Sequence, residues 1–460
     1  MTSLNQLDIY ASDLAAAVKC LMSYSQNADV PVDFGIGKAP QPLVPPNAPS
    51  DVHQARQTVI ANAGKLQVLL GTPTDFIHQL SRQNQLLACL HWLCEFQVLA
   101  CIPLSGSVPC KGVADLAGVP ETQLLRVMRM MATVGFLCEP QSEHVAHSIL
   151  SAEFVTQPSL LDAAMFLSET AAPAALHMAE ATRRFGDSQQ RNESAYNVAF
   201  NTTGTFSGMC EQRPKLQRQW PAYLRHGTGD LDDGVMDILT RFDWHRLGMA
   251  TVVEVGARST ATASALSDFY PTLHFIVQMN ELGTSCRASR QTPWNGLPTP
   301  VSTTRVSEPS PDAGNRTQYQ LNSRIAVQQR TPGSVQCVHH AAVYILHLPS
   351  LLPGMPARSV TDRIVAELRA HLGVLRGSSA MLILIAQLLP EPGTVEREVE
   401  AEARLRDLTF LQLANEHEIE MLELVNLVNS VKDGLGQLVL INRHRGRNPV
   451  TVGLEIKYQT

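Results

Sequence analysis

Apolar residues follow two different periods along this chain, and the change between them comes near residue 250. Before that point they recur at helical spacing, as in LDIYASDLAAAVKCLMSYS and VHQARQTVIANAGKLQVLLGTP. After it, short β-rich runs alternate with helical segments; these runs are TVVEVG, LHFIVQ, AAVYILHL, SAMLILIAQLL and GQLVLINRH. The pattern predicts a helical N-terminal part followed by a doubly wound α/β domain with a mostly parallel sheet.

The same pattern divides the chain into four segments. Residues 1–80 are predicted as helices that cover a core or a partner subunit, and residues 156–245 as a helical linker and pocket wall. Residues 246–460 form the Rossmann-like domain, interrupted by an insertion at 282–320 that is rich in Ser, Thr, Pro and Gly. Residues 81–155 have the helix, turn, helix and hairpin order of a winged helix.

A winged helix raises the hypothesis of DNA binding through the second helix, ETQLLRVMRMMATVG. That helix offers only Arg126 and Arg129 as cations, and its remaining face is Leu and Met. The whole chain has a net charge of −6. We therefore expect no nucleic-acid partner and interpret the segment as a packing or dimerisation module.

Composition narrows the class of protein further. The chain has 460 residues, of which 44% are hydrophobic and 17% charged, as is usual for a globular protein. Its nine cysteines form no C-x-x-C pair, so we expect reduced thiols, no disulfide framework and no metal site. The N-terminus lacks a secretory pattern and no apolar run reaches ~18 residues, so we expect a cytoplasmic protein without a membrane span.

Several motifs taken together resemble one enzyme family over roughly residues 80–460; they are ESAYNVAFNT, FDWHRLGMATVVEVG, YPTLHFIVQ, YILHLPSLLPG, LPEPGTVERE and RLRDLTFLQLANEHE. The family is that of the class I O-methyltransferases of natural-product pathways, especially the fungal ones. The resemblance implies a Rossmann-like catalytic domain. It also implies a homodimer in which the N-terminal helices and winged helices of two subunits interlock.

The motifs for the methyl donor S-adenosylmethionine (SAM) depart from that family. Its first strand-to-helix turn reads D-V-G-G-G-x-G, whereas here Gly256 remains and Arg258 and Thr260 carry side chains. The acid that accepts the ribose hydroxyls is replaced by Met279, and hydrogen bonds to a charged group contribute about 1.5–3 kcal/mol each. A third family acid has no counterpart in VQQRTPG. We therefore expect a degenerate site without SAM, the alternative being a divergent methyltransferase whose site is rebuilt by Glu281 or Asn280.

The substrate side of the family pattern is partly kept. His347 in YILHLPS matches the general base, and Glu418 matches the carboxylate that orients it. His147 matches a histidine that borders the pocket in fungal relatives. For His147 the alternative is a structural histidine, and for His347 it is a remnant of an ancestral base.

A degenerate cofactor site beside a retained acid–base pair resembles the O-methyltransferase-like pericyclases. The resemblance implies a SAM-independent pericyclase that dehydrates a polyketide-derived 2-pyridone alcohol and cyclises the quinone methide by a Diels–Alder, hetero-Diels–Alder or Alder-ene reaction. His347 would exchange a proton with the pyridone oxygen. The residues expected to wall the pocket are Tyr196, Thr203, Phe206, Phe410 and Leu413.

Two other functions stay open at this point. One is a SAM-dependent O-methyltransferase that acts on a phenolic or pyridone oxygen, with His347 as the base. The other is a catalytically inactive relative that serves as a dimer partner or regulator.

Overall fold

The structure is a computed structural model of the chain. The residues that it describes are 3–27, 43–45, 48–229, 233–280, 324–348, 359–446 and 450–460. The predicted insertion at 282–320 lies outside these residues. The chain divides into two compact units: residues 1–230 with 408–415, and residues 231–407 with 416–460. The four narrower segment boundaries stay predictions.

The first unit begins with a helical hairpin. Its helices are α1 (Ser3–Asn27) and α2 (Ser50–Leu70), and they pack on each other through one face of each. Helix α3 (Pro73–Glu95) follows after a capping box, in which Thr72 Oγ1 accepts from the Asp75 amide at 3.2 Å and Asp75 Oδ2 accepts from the Thr72 amide at 2.9 Å. The cap and the proline at the first helical position fix where α3 starts.

The winged helix is present as predicted. Its elements are β1 (Val108–Pro109), α4 (Cys110–Ala117), α5 (Glu121–Ala132), β2 (Leu137–Cys138) and β3 (His144–His147). The strands form an antiparallel sheet in the order β1-β3-β2. Its core includes the buried side chains of Leu93, Val98, Leu124, Met128 and Val145. The apolar face of α5 noted in the sequence is therefore a packing face.

The rest of the first unit is helical. Its helices are α6 (Ile149–Thr156), α7 (Pro158–Phe166), α8 (Ala172–Leu176), α9 (Met178–Phe185), α10 (Ala195–Ala199), α11 (Phe206–Gln212) and α12 (Pro214–Gly227). A short π-helical turn, Leu167–Ala171, lies between α7 and α8.

The second unit is a seven-stranded sheet flanked by helices. Its strands are β4 (Thr251–Ala257), β5 (His274–Asn280), β6 (Ile325–Arg330), β7 (Val343–His347), β8 (Met381–Gln387), β9 (Gln437–Arg445) and β10 (Thr451–Gln459). The helices of this part of the chain are α13 (Asp233–Leu239), α14 (Ala261–Phe269), α15 (Val360–Leu375), α16 (Arg397–Ala414) and α17 (Met421–Ser430). The C-terminal residues of α16 belong to the first unit.

The strand order is β6-β5-β4-β7-β8-β10-β9. Strands β4 to β8 run parallel and β10 is antiparallel to both neighbours. Both faces of the sheet are covered, since Val253 and Val255 of β4 enter one apolar cluster and Val252 and Ala257 enter another. This is the predicted Rossmann-like α/β fold. The expected role of the N-terminal part in dimerisation stays a prediction.

Candidate functional site

The chain reverses its direction of winding between β4 and β7, because β5 and β6 lie on one side of β4 and β7 and β8 on the other. In open α/β sheets, ligands bind outside the carboxyl ends of the strands at such a switch point. Here the two strands pair in parallel, with Val255 opposite Leu346. The residues that follow this pair therefore define the candidate site.

A histidine and a glutamate meet at that edge. His347 ends β7, and its Nε2 lies 2.8 Å from Oε1 of Glu254 in β4, so the imidazole N–H donates to the carboxylate. The Glu254 side chain is 2% exposed and that of His347 is 21% exposed. Oε2 of Glu254 is buried and has no hydrogen-bond partner among the residues that the structure describes. His347 thus supplies a donor to a carboxylate that water does not reach.

Gly256 shapes the backbone beside this pair. Its φ is +74°, a conformation that residues with a side chain rarely adopt, and the register of β4 against β5 shifts at the same point. A Cβ at this position would lie 3.6 Å from the His347 carbonyl oxygen, an ordinary contact. The requirement for glycine here is therefore one of φ and not of space.

The other positions of the degenerate motif lie in different surroundings. Arg258 is exposed, Thr260 precedes α14, and Met279 packs against the apolar cluster that contains Val277. In the described part of β5, which ends at Asn280, no carboxylate is available to the ribose hydroxyls of SAM. The described residues of β5 therefore supply no carboxylate for that cofactor, and a site without SAM stays a prediction.

The side chain of Gln278, beside Met279, is buried and forms its hydrogen bonds inside the protein. It exchanges two amide hydrogen bonds with Gln336, with N···O distances of 3.1 and 2.8 Å. Gln336 also contacts His371, which is fully buried. Burial, with a smaller contribution from nearby Arg330, lowers the pKa of His371 to about 4.

The predicted pairing of Glu418 with His347 is corrected by the structure. Glu418 is buried and binds the guanidinium of Arg406, while its backbone N–H donates to Asp407 Oδ1 at 2.9 Å. Arg406 is also buried. A buried guanidinium needs a neighbouring negative charge, which explains the ion pair between Arg406 and Glu418. The carboxylate that binds His347 belongs to Glu254, within the β-rich run TVVEVG, and was not predicted as a site residue.

His147 is enclosed in the winged helix. Its Nδ1 lies 2.8 Å from Ser151 Oγ and its Nε2 3.1 Å from the Leu99 carbonyl oxygen. Burial lowers its pKa. Because protein groups engage both ring nitrogens, the geometry supports the structural alternative over a catalytic role.

The predicted pocket-wall residues are mostly core. Phe206 lies between Tyr196 and Trp220, with ring centroids 5.3 and 5.2 Å away, and Trp220 lies 6.1 Å from Phe410. Like these rings, Leu413 is buried, whereas Thr203 is exposed. The structure brings the aromatic residues together as one packed cluster of the first unit. A role for them in binding a substrate stays a prediction.

The winged helix presents little positive charge. The guanidinium of Arg129, in α5, forms a bidentate ion pair with the carboxylate of Glu139, with N···O distances of 3.0 to 3.3 Å. Residues 81–155 hold four Lys or Arg residues and six Asp or Glu residues. Since DNA binding depends on cations that neutralise phosphates, this surface is poorly suited to it.

One histidine and two glutamates come close enough to hold a metal ion, a cluster that the sequence analysis missed. They are His91, Glu95 and Glu169, and their ligand atoms lie within 4.8 Å of one another. Lys215 Nζ lies 2.7 Å from Oε2 of Glu169. A lysine ammonium therefore already neutralises the carboxylate that a cation would need.

Comparison with known proteins assigns the family. Residues 4–71 match the family model of the N-terminal domain of the trypacidin cluster transcriptional coactivator tpcD. Over 486 residues the chain is 48% identical to the monodictyphenone cluster transcriptional coactivator mdpA of Emericella nidulans, covering 100% of this chain and 99% of the relative. The chain belongs to this family of fungal cluster transcriptional coactivators.

Other coactivator-family relatives match over their whole length as well. The dothistromin biosynthesis regulatory protein aflJ of Dothistroma septosporum is 47% identical over 463 residues, with 100% of this chain and 99% of the relative covered. The trypacidin coactivator tpcD of Aspergillus fumigatus is 43% identical over 463 residues, with coverage of 100% and 97%.

Solved structures share the fold of this coactivator-family chain at low identity. LepI, in complex with SAH and a substrate analogue, has a TM-score of 0.66 at 15% identity, covering 98% of this chain and 100% of LepI. OxaC has a TM-score of 0.64 at 15% identity, with full coverage of both chains. The mitomycin 7-O-methyltransferase MmcR has a TM-score of 0.58 at 17% identity, with coverage of 84% and 98%. At these identities the likeness establishes the methyltransferase-like fold alone.

Membrane insertion has no support from the helices. Within the described ranges, none combines the length and the apolar character that a membrane crossing requires.

Proposed function

We propose that this chain is a transcriptional coactivator of a fungal biosynthetic gene cluster, and that it uses a methyltransferase-like fold for protein contacts and not for catalysis. The observation that carries the proposal is the contrast in identity. The chain is 48% identical to a named coactivator over its full length and 15% identical to LepI over nearly the same length. A shared fold is weak support for a shared chemistry, whereas full-length identity at this level supports a shared role.

The candidate site supports a non-catalytic role. His347 is hydrogen-bonded to a buried carboxylate, a contact that contributes to stability without requiring catalysis. The described part of β5 has no carboxylate for the ribose hydroxyls, and Glu418 is bound to Arg406. The proposal therefore takes up the third alternative of the sequence analysis, an inactive relative that acts as a regulator.

The charge of the winged helix supports a role in transcription that involves no direct contact with DNA. Its second helix has Arg129 paired with Glu139, and the segment is acidic. A coactivator of this kind reaches promoters through a DNA-binding partner and needs no DNA contact of its own.

A SAM-independent pericyclase is the second candidate. It is favoured by the likeness to LepI and by the partial exposure of His347 at the edge of the sheet where α/β enzymes bind substrates. In that function His347 would exchange a proton with a 2-pyridone oxygen. No step involving SAM is required.

One experiment separates the two candidates. A strain that lacks the gene is complemented with the wild-type chain or with His347→Gln, which keeps a donor for Glu254 but cannot exchange a proton as an acid or base. Transcripts of the neighbouring biosynthetic genes and the final metabolite are both measured.

The coactivator proposal expects transcripts to fall in the deletion strain and both readouts to return with either chain. A catalytic role expects normal transcripts in the deletion strain, with a metabolite that only the wild-type chain restores. That second pattern would overturn the proposal.

A further inference from the structure

A shallow groove lies on the winged helix of the first unit. Its volume is about 340 Å³, and it is formed by the end of α3, the 3₁₀ turn Val98–Cys101 and the end of α4. Its lining includes Glu95, Phe96, Ala100, Cys101, Leu116 and Ala117. All of these residues belong to the first unit.

Two large apolar side chains form the walls of this groove and stay in contact with solvent. Phe96 is 43% exposed and Leu116 is 75% exposed. The ring of Trp92, 5.2 Å from that of Phe96, supports it from the protein side. Exposed apolar side chains that converge on a concave surface are typical of interaction sites.

The backbone of the groove is held in an uncommon conformation. Gln97 has φ 51° and ψ 29°, in the left-handed region that residues other than glycine rarely occupy. The turn sends Val98 and Leu99 into the core and leaves Phe96 and Ala100 at the surface. Such local strain is concentrated at functional sites, because the surrounding structure must maintain it.

Shape and charge indicate the kind of occupant. Pockets for small molecules bury most of the ligand surface, whereas this groove is open and its walls remain exposed. The charged residue in its lining is Glu95, and exposed Asp115 stands next to Leu116 in the chain. The winged-helix segment as a whole carries more acidic than basic residues. A partner with apolar and basic residues on one surface is complementary to it.

We propose that this groove docks an amphipathic helix with basic flanks, supplied by the DNA-binding activator with which a coactivator acts. The apolar face of the helix covers Phe96 and Leu116, and its cations lie near Glu95 and Asp115. This inference rests on the proposed coactivator function. DNA-binding proteins are rich in Lys and Arg, which matches the sign of charge that the groove requires.

The test uses the full-length chain and a fluorescent helical peptide of leucine and lysine. A second peptide with glutamate in place of each lysine is the charge control. The variant Phe96→Ser/Leu116→Ser removes the walls, and Leu176→Ser is its matched control, since Leu176 is 81% exposed on α8 and outside the lining. Circular dichroism checks that each variant is folded.

We expect the lysine peptide to bind the wild-type chain about tenfold more tightly than the glutamate peptide, by fluorescence anisotropy. The double variant should weaken binding of the lysine peptide by about tenfold, while the Leu176 control should leave it unchanged. Equal binding to the double variant, or equal binding of the two peptides, overturns the inference.

Two further measurements show whether a negative binding result contradicts the groove assignment or the proposed coactivator function. Sedimentation of the double variant tests for a second copy in the groove, and a dimer that becomes a monomer on substitution would overturn the peptide assignment. Transcript levels test the underlying function independently. Transcripts that depend on the chain but not on Phe96 and Leu116 would overturn the groove and leave the coactivator proposal standing.

Discussion

The buried carboxylate of Glu254 depends on His347 for its hydrogen bond, so the His347→Ala variant has a clear expected effect. Without the imidazole, Oε1 of Glu254 also loses its partner, and neither oxygen of this buried carboxylate has a hydrogen bond to a described residue. We expect the free energy of unfolding to fall by roughly 1–3 kcal/mol, the usual cost of an unsatisfied buried polar group. Urea denaturation of the full-length chain measures it.

Two variants control this experiment. His340→Ala removes an exposed histidine from the segment before β7 and should leave the unfolding midpoint unchanged. Adding Glu254→Gln to His347→Ala removes the buried charge and should recover part of the loss. An unchanged midpoint in His347→Ala would show that the hydrogen bond contributes nothing to stability.

His371 gives the protein a calculable response to acid. Its pKa is about 4 in the folded chain, below the ordinary 6.5, so the folded state binds fewer protons than the unfolded state between these values. Stability is therefore fully present above pH 6.5 and falls as the pH drops towards 4, by about 3 kcal/mol across the window. Urea midpoints at pH 7.5 and pH 5 measure the slope.

The variant His371→Gln isolates that contribution. It should unfold with a flatter pH dependence than the wild-type chain. The slope should not vanish, because burial lowers the pKa of His147 in the same direction. Identical slopes for variant and wild type would contradict the assignment to His371.

At the level of elements, the α1–α2 hairpin is expected to be the least stable part of the described helices. The two helices pack mainly on each other, and Leu4, Val18 and Met22 of α1 remain exposed. Two helices with so few buried side chains are marginal in water. We expect their amides to exchange with deuterium at least about 100-fold faster than those of β7 and β8. Equal protection would mean that another surface covers the hairpin.

The sequence predicted those elements whose apolar pattern is strong. Helices α1 and α2 and strands β4, β5 and β7 were anticipated because their apolar residues are continuous or periodic. Strand β6 was missed because four of its six residues are exposed and half of its sequence, IAVQQR, is polar. β10 was also missed, although its apolar residues alternate with glycine and polar residues in TVGLEIKYQ, the pattern of a half-buried strand.

The candidate site was harder to predict than the elements that hold it. His347 was predicted because it matches the family's general base in YILHLPS. Its partner Glu254 lies 93 positions earlier, and only the strand order, which places β4 beside β7, brings them together. Glu418 was misassigned because its partner Arg406 lies one helix earlier, where nothing in the local pattern marks it.

At the scale of the whole molecule, the fold of the chain does not determine its function. The motifs were sufficient to predict a methyltransferase-like fold, which LepI and OxaC share. They did not reveal the coactivator relatives, because regulators and enzymes built on one frame retain the same core pattern. The pericyclase function stays a prediction. The features that distinguish a regulator from an enzyme lie on the surface and in the SAM site.

The final prediction therefore concerns SAM itself. Met279 replaces the ribose acceptor, and Glu254 is already engaged by His347, so the described edge offers few of the interactions that bind this ligand. We expect calorimetric titration to show no saturable binding up to about 1 mM, where a free energy of about −4 kcal/mol would suffice. Met279→Asp should gain weak binding because it restores an anionic acceptor, and Met279→Leu should not. Tight binding to the wild-type chain would contradict the proposal and make methyl transfer the leading function, because a retained methyl donor has no use in a chain that acts only by protein contact.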